Sequence, residues 1–188
     1  MEHSLNVNEL SEVYIKSKAC KEASTSYQLC PTQDKNKVLQ TLANLILEYQ
    51  EEILEQNLID VKQAKENGYT NAQLDRLSLD ERRIDQLSKS VLEVIRLNDP
   101  IGEIIETFIR PNGLEIDKKR VPLGVIAMIY ESRPNVTIDA SILALKTGNC
   151  IVLRGGKEAL HTNIYLTSLI KNALVLNNLN PDIVQIIE

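Results

Sequence analysis

Val121-Pro122-Leu123-Gly124-Val125-Ile126-Ala127-Met128-Ile129-Tyr130 and, further on, Cys150-Ile151-Val152-Leu153-Arg154-Gly155-Gly156-Lys157 decide the fold of this chain. Both are near-continuous apolar runs bounded by turn residues, the pattern of strands buried on both faces. Between them lie a polar loop, Glu131 to Asn135, and a helical segment from about Thr137 to Lys146, which Thr147-Gly148-Asn149 ends with glycine in its usual place. A helix from about Glu158 to Leu176 follows, and Asp182-Ile183-Val184-Gln185-Ile186-Ile187 reads as a third strand. Strand, helix, strand, helix, strand is the order of a parallel α/β sheet with right-handed crossovers.

Upstream of this unit the period changes. Ile105 to Arg110 and Leu114 to Asp117 alternate apolar and polar residues around Pro111-Asn112-Gly113. Asn-Gly between alternating runs predicts an antiparallel hairpin whose two central turn residues take positive φ. The first hundred residues are helical in pattern. Val38, Leu42, Leu45, Tyr49 and Ile53 repeat at helical spacing within a single helix expected over Asp34 to Asn67, started near Pro31-Thr32 and stopped by Gly68. The stretch from Val7 to Leu29 repeats the pattern more weakly. Ser78-Leu79-Asp80-Glu81 has the form of a capping box opening a further helix through Ile84, Leu87, Val91 and Ile95. The expected segments are thus 1–99, helical; 100–120, hairpin; and 121–188, α/β.

Composition narrows the function. Among 188 residues the net charge is −5, and the short basic cluster Lys118-Lys119-Arg120 reads as a solvated strand end, so a nucleic-acid partner is not expected. Cys20, Cys30 and Cys150 form no C-x-x-C pair, and His3 and His161 lie at no metal-ligand spacing, so neither a disulfide framework nor a metal site is expected. No secretory signal or membrane-spanning run is visible, which makes the cytoplasm the expected location.

Two motifs could carry chemistry. Arg154-Gly155-Gly156-Lys157 follows a strand and opens a helix, where unpaired backbone N–H groups and the helix dipole favour a phosphate; the same residues also make an ordinary tight turn. Tyr130-Glu131-Ser132-Arg133-Pro134-Asn135 lies at the carboxyl end of the first strand, the edge where ligands bind such sheets. Arg133 could clamp a carboxylate or make a surface ion pair, and the Asn135 amide could stabilise an oxyanion or cap the helix that follows. No cysteine here has a histidine partner, so the chain shows no complete catalytic constellation.

Arg110-Pro111-Asn112-Gly113-Leu114, Arg120-Val121-Pro122-Leu123-Gly124, Tyr130-Glu131-Ser132-Arg133-Pro134-Asn135-Val136-Thr137, Leu145-Lys146-Thr147-Gly148-Asn149 and Leu153-Arg154-Gly155-Gly156-Lys157-Glu158 together resemble the gamma-glutamyl phosphate reductase family, within the aldehyde dehydrogenase superfamily. The likeness extends to Asp75-Arg76-Leu77 in the helical half. It implies an α/β fold: a helical segment and an oligomerisation-type hairpin, then the first half of an aldehyde dehydrogenase-like parallel, Rossmann-type sheet. It further implies reduction of gamma-glutamyl phosphate by NADPH to glutamate 5-semialdehyde and phosphate, through thiolate attack on the acyl phosphate and hydride transfer to the thioester. Asn135 is then the oxyanion candidate, Ser132 and Arg133 the substrate-binding candidates, and Arg154, Gly155, Gly156 and Lys157 the cofactor-binding turn. A complete member of that family carries a nucleophilic cysteine motif that none of the three cysteines matches. The chain is therefore expected to be a portion of a longer reductase, inactive alone, prone to homo-oligomerise and partnered by the missing catalytic part. The alternative is a non-catalytic binding or assembly module built on that fold.

Overall fold

A computed structural model describes residues 11–188. The first residues of the expected Val7–Leu29 helix, and His3, lie outside the described residues. The parallel unit forms as expected: β3 (Val125–Ile129), α6 (Pro134–Lys146), β4 (Cys150–Arg154), α7 (Leu160–Leu176) and β5 (Val184–Ile186), with strand order β3-β4-β5 and both pairings parallel. Short 3₁₀ turns, Lys157–Ala159 and Pro181–Ile183, precede α7 and β5. Pro134 sits in the first turn of α6, where its fixed φ and missing N–H do no harm, and Gly148 at φ 68° ends the helix.

One expectation fails at β3. Val121 to Tyr130 is not buried on both faces: the strand is the edge of the sheet, and Val121, Leu123 and Ile129 are 72%, 86% and 82% exposed. A continuous apolar run signals a strand whose neighbours cover it, and among the described residues only β4, buried along Cys150 to Leu153, has parallel neighbours on both sides. The far face of the sheet is covered by α1 (Glu12–Tyr27), which lays Cys20, Ala23 and Tyr27 onto β4 and β5. The Tyr27 hydroxyl donates to the Leu145 carbonyl at 2.8 Å, pinning α1 to the end of α6.

The single helix expected over Asp34 to Asn67 is two, α2 (Thr32–Glu48) and α3 (Gln50–Glu66). Tyr49, at φ −102° and ψ 30°, closes one and opens the other, so the two halves bury different faces: Val38, Leu39 and Leu42 in α2, but Ile53, Asn57 and Asp60 in α3. Periodicity alone passes over such a break because one residue outside helical geometry hardly disturbs the spacing of the rest. α4 (Asn71–Leu77) is an element without a sequence expectation, and the capping box that forms is its own, Thr70 with Gln73. Ser78 instead ends α4 and donates to the Leu74 carbonyl, while Asp80 caps α5 (Glu81–Arg96), accepting from the Arg83 N–H at 2.7 Å.

β1 (Ile104–Ile109) and β2 (Glu115–Lys119) form the expected hairpin, exposed along nearly its whole length. Its turn differs from the expected one. Gly113 takes φ 83° while Asn112 does not have positive φ, and the Gly113 N–H reaches the Arg110 carbonyl at 2.9 Å. Pro111, locked near φ −65°, dictates a three-residue loop of a type I turn followed by a left-handed glycine. Elsewhere one continuous core joins α1, α2, α5, α6 and α7 to β4 and β5. Within it Lys35 and Asp99, 3% and 8% exposed, pair at 2.5 Å.

Candidate functional site

Two adjoining clefts open where the carboxyl end of β3 meets the helical half. The wider, about 490 Å³, lies between α4–α5 and the start of α6 and is lined by Arg76, Arg83, Arg133, Asn135 and Asp139 among others. The narrower, about 350 Å³, is bordered by Tyr69, Glu131, Ser132, Gly156 and Glu158. Arg76 and Arg133 line both. Of the expected site residues, Arg133 thus lines both clefts, Asn135 the wider one, and Ser132 and Gly156 the narrower.

Local chain geometry sets these positions. The Arg133 N–H bonds the Glu131 carbonyl at 2.7 Å, and Arg133 is the N-cap of α6 without a side-chain cap. Asn135 is therefore inside the first turn rather than at the cap, and its exposed amide donates to Asp139 at 3.1 Å. Burial pushes the Asp139 carboxyl above its ordinary value, against the opposing pull of that amide. The Arg133 guanidinium lies 3.9 Å from the Glu131 carboxylate.

In the narrower cleft Glu158 is the hub. It accepts from Ser132 Oγ at 2.5 Å and from the Tyr69 hydroxyl at 2.6 Å, and these two bonds hold its carboxyl below the usual range. A Cβ at Gly156 would overlap Ser132 Oγ, and one at Gly155 would overlap Asn163 Nδ2 and lie 3.1 Å from the Tyr130 ring. At both glycines a side chain would thus press on the protein's own groups. Arg154 donates to the Ile187 carbonyl at 3.3 Å, while Lys157 is exposed.

The helix dipole invoked for this turn is already engaged. Asp60 of α3, 1% exposed, accepts from the backbone N–H of His161 at 3.2 Å and of Thr162 at 2.8 Å, and from Thr162 Oγ1 at 2.6 Å. His161 Nδ1 lies 2.8 Å from the same carboxylate. Sequence spacing could not reveal this cap, because Asp60 lies about a hundred positions from the helix it closes. The expectation of free N–H groups at the start of α7 is therefore corrected: the protein supplies its own anion there.

None of the cysteines lines either cleft. Cys20 and Cys150 are fully buried between α1 and β4, and Cys30 is partly buried beyond the end of α1. Contact with the Cys20 thiol, and then burial, push the Cys150 thiol well up; burial also raises Cys30. Among the described residues, no group of three or more His, Cys, Asp or Glu side chains could hold a metal ion, and no helix is long and apolar enough to cross a membrane.

Comparison with known proteins places this geometry. A gamma-glutamyl phosphate reductase of Clostridium perfringens is 47% identical over 178 residues, covering 95% of this chain and 43% of the relative. One from Dictyoglomus thermophilum is 48% identical over 173 residues, covering 92% and 42%. The crystal structure of gamma-glutamyl phosphate reductase from Thermotoga maritima superposes with a TM-score of 0.92 at 44% identity, over 95% of this chain and 43% of that one. An NADP-dependent glyceraldehyde-3-phosphate dehydrogenase from Bacillus halodurans, 23% identical with a TM-score of 0.64 over 94% of this chain and 35% of its own, shares the fold. The chain thus spans about 43% of the length of the reductases it matches. The model of the aldehyde dehydrogenase family matches residues 7–188, and the chain belongs to that family.

Proposed function

We propose that the chain is part of an NADPH-dependent reductase that converts gamma-glutamyl phosphate to glutamate 5-semialdehyde and phosphate in proline biosynthesis, in the cytoplasm. One observation carries the reading: the 47% identity to gamma-glutamyl phosphate reductases extends over 178 residues that include both clefts and the polar loop between them. In this reading Arg133 holds an anionic group of the substrate and Ser132, fixed by Glu158, orients it. The Asn135 amide, with a second N–H beyond the one on Asp139, faces the developing oxyanion.

NADPH, when bound, supplies the reducing equivalent. Arg154, Gly155, Gly156 and Lys157 would hold it at the carboxyl edge of β4. The donor set fits a phosphate group, with a guanidinium, an ammonium and side-chain-free backbone, although Asp60 leaves the first N–H groups of α7 out of that set. Cys20, Cys30 and Cys150 stand away from the clefts, so the nucleophile belongs to another part of the enzyme and the chain alone is inactive. Residues 1–99 are then the helical segment, 100–120 an oligomerisation hairpin and 121–188 the first half of the cofactor domain. The exposed hairpin and β3 edge are where a second copy and the remaining sheet would pair.

The test is a calorimetric titration of the chain with NADPH beside an Arg154→Ala/Lys157→Ala variant. Saturable binding that weakens about tenfold or more in the variant is expected, since charge-assisted hydrogen bonds contribute roughly 1.5–3 kcal/mol each. Equal affinities, or NADPH-dependent turnover by the chain alone, would overturn the reading.

A further inference from the structure

The wider cleft holds charged side chains whose roles the reductase reading leaves undivided. Arg76 reaches it from the last turn of α4 and Arg133 from the loop before α6. Two guanidiniums lining one opening make it favourable to an anion. Neighbouring carboxylates supply little negative charge: Asp75 is paired with Arg83 at 2.7 Å, and Glu131, its side chain 79% exposed, makes only a long, solvent-screened ion pair with Arg133 at 3.9 Å. Asp139, in the same cleft, has the opposite need. It is partly buried, its hydrogen-bond partner is the neutral amide of Asn135, and it forms no ion pair with either arginine. Burial raises its carboxyl pKa, and only the Asn135 amide opposes that shift.

Paired cations and a separate, half-desolvated acid within one cleft match the charges of a zwitterion. We infer that this cleft grips the α-amino-acid head of its ligand, with the Arg76–Arg133 pair taking the carboxylate and Asp139 the ammonium. The inference rests on the reductase reading, because gamma-glutamyl phosphate is an α-amino acid whose side chain ends in an acyl phosphate. It commits Arg133 to the head rather than to the phosphate, and makes Arg76, from the helical half, a specificity residue. A cation in the last turn of α4 would also be favoured by the helix dipole without any ligand, and that purely structural role would leave ligand titrations unmoved.

The chain is titrated, with NMR or calorimetric readout, with L-glutamate, with glutarate, which lacks the ammonium, and with 4-aminobutyrate, which lacks the α-carboxylate. L-glutamate is expected to bind about tenfold or more tightly than either, the value of one charge-assisted contact. Asp139→Asn should erase the discrimination against glutarate, and Arg76→Gln that against 4-aminobutyrate, in variants whose circular dichroism matches the parent. Absence of saturable L-glutamate binding, equal binding of the three ligands, or folded variants that keep full discrimination would each overturn the inference. NADPH titrations of the same samples separate the two readings. Head selectivity without NADPH binding would strike the reductase reading, and NADPH binding without head selectivity would strike this one.

Discussion

The two helices that follow parallel strands in this molecule begin in opposite ways. The start of α7 is closed: Asp60, buried and drawn from α3, takes the N–H groups of His161 and Thr162. The start of α6 is open, with Pro134 in the first turn, no side-chain cap, and Asn135 exposed at a cleft shared with Arg76 and Arg133. A helix N-terminus favours an anion wherever it occurs, yet only one that the fold leaves uncapped can offer that preference to a ligand. The basic glycine turn and the available helix terminus are therefore in different places, and the substrate half of the proposed chemistry gathers at the open one.

Removing the carboxylate at the closed terminus should have the largest effect. Asp60→Ala would strip a cap and leave buried donors unsatisfied, at a cost of about 3 kcal/mol in a denaturant melt. His161→Ala, which removes a side chain 41% exposed and leaves the backbone cap in place, should cost less than about 1 kcal/mol. Equal losses would show that the His161 side chain, not the backbone cap, closes the terminus. Gly155→Ala comes next: its Cβ would press on Asn163 and Tyr130, and overpacking of this kind costs about 1–3 kcal/mol. A neutral result would mean that the turn yields easily, leaving close approach of a ligand as the reason for its glycine.

At the open terminus the expected effect is smallest and of opposite sign. Burial raises the Asp139 pKa above 3.8, so its contribution to stability is fully present below that value and is lost as pH rises through the folded-state pKa. Asp139→Asn should therefore lack that component of the pH dependence and unfold no more easily than the parent at pH 7. A clear loss of stability in the variant would show that the carboxylate is a structural partner rather than a group held for a ligand.

The parallel unit was legible because its cues are local. Val125 to Ile129, Cys150 to Leu153, Pro134 and Gly148 each state a strand, a helix start or a stop within a few residues. The loop carrying Ser132, Arg133 and Asn135 was equally legible, since it lies at the carboxyl end of a strand. What local reading missed depends on partners distant in sequence. Asp60 closes α7 across about a hundred positions. Arg76 meets Arg133 only through packing of the helical half on the sheet. Tyr49 breaks a helix whose apolar spacing continues past it, and Pro111 overrides an Asn-Gly signal next door. The apolar run of β3 looked like an interior strand because hydrophobicity records what a segment can pack against, not what lies beside it.

The placement of α1 has a bearing on the order in which this molecule assembles. Cys20 Sγ approaches the Ile183 carbonyl at 3.7 Å, and Lys16 donates to the Ile186 carbonyl at 2.8 Å. A helix made early during synthesis thus finds its seat only after residues near 186 have emerged. Until then its apolar stripe stays wet, and loop closure over so long a span slows the final docking. Docking of α1 is therefore a late step, set by the arrival of β5.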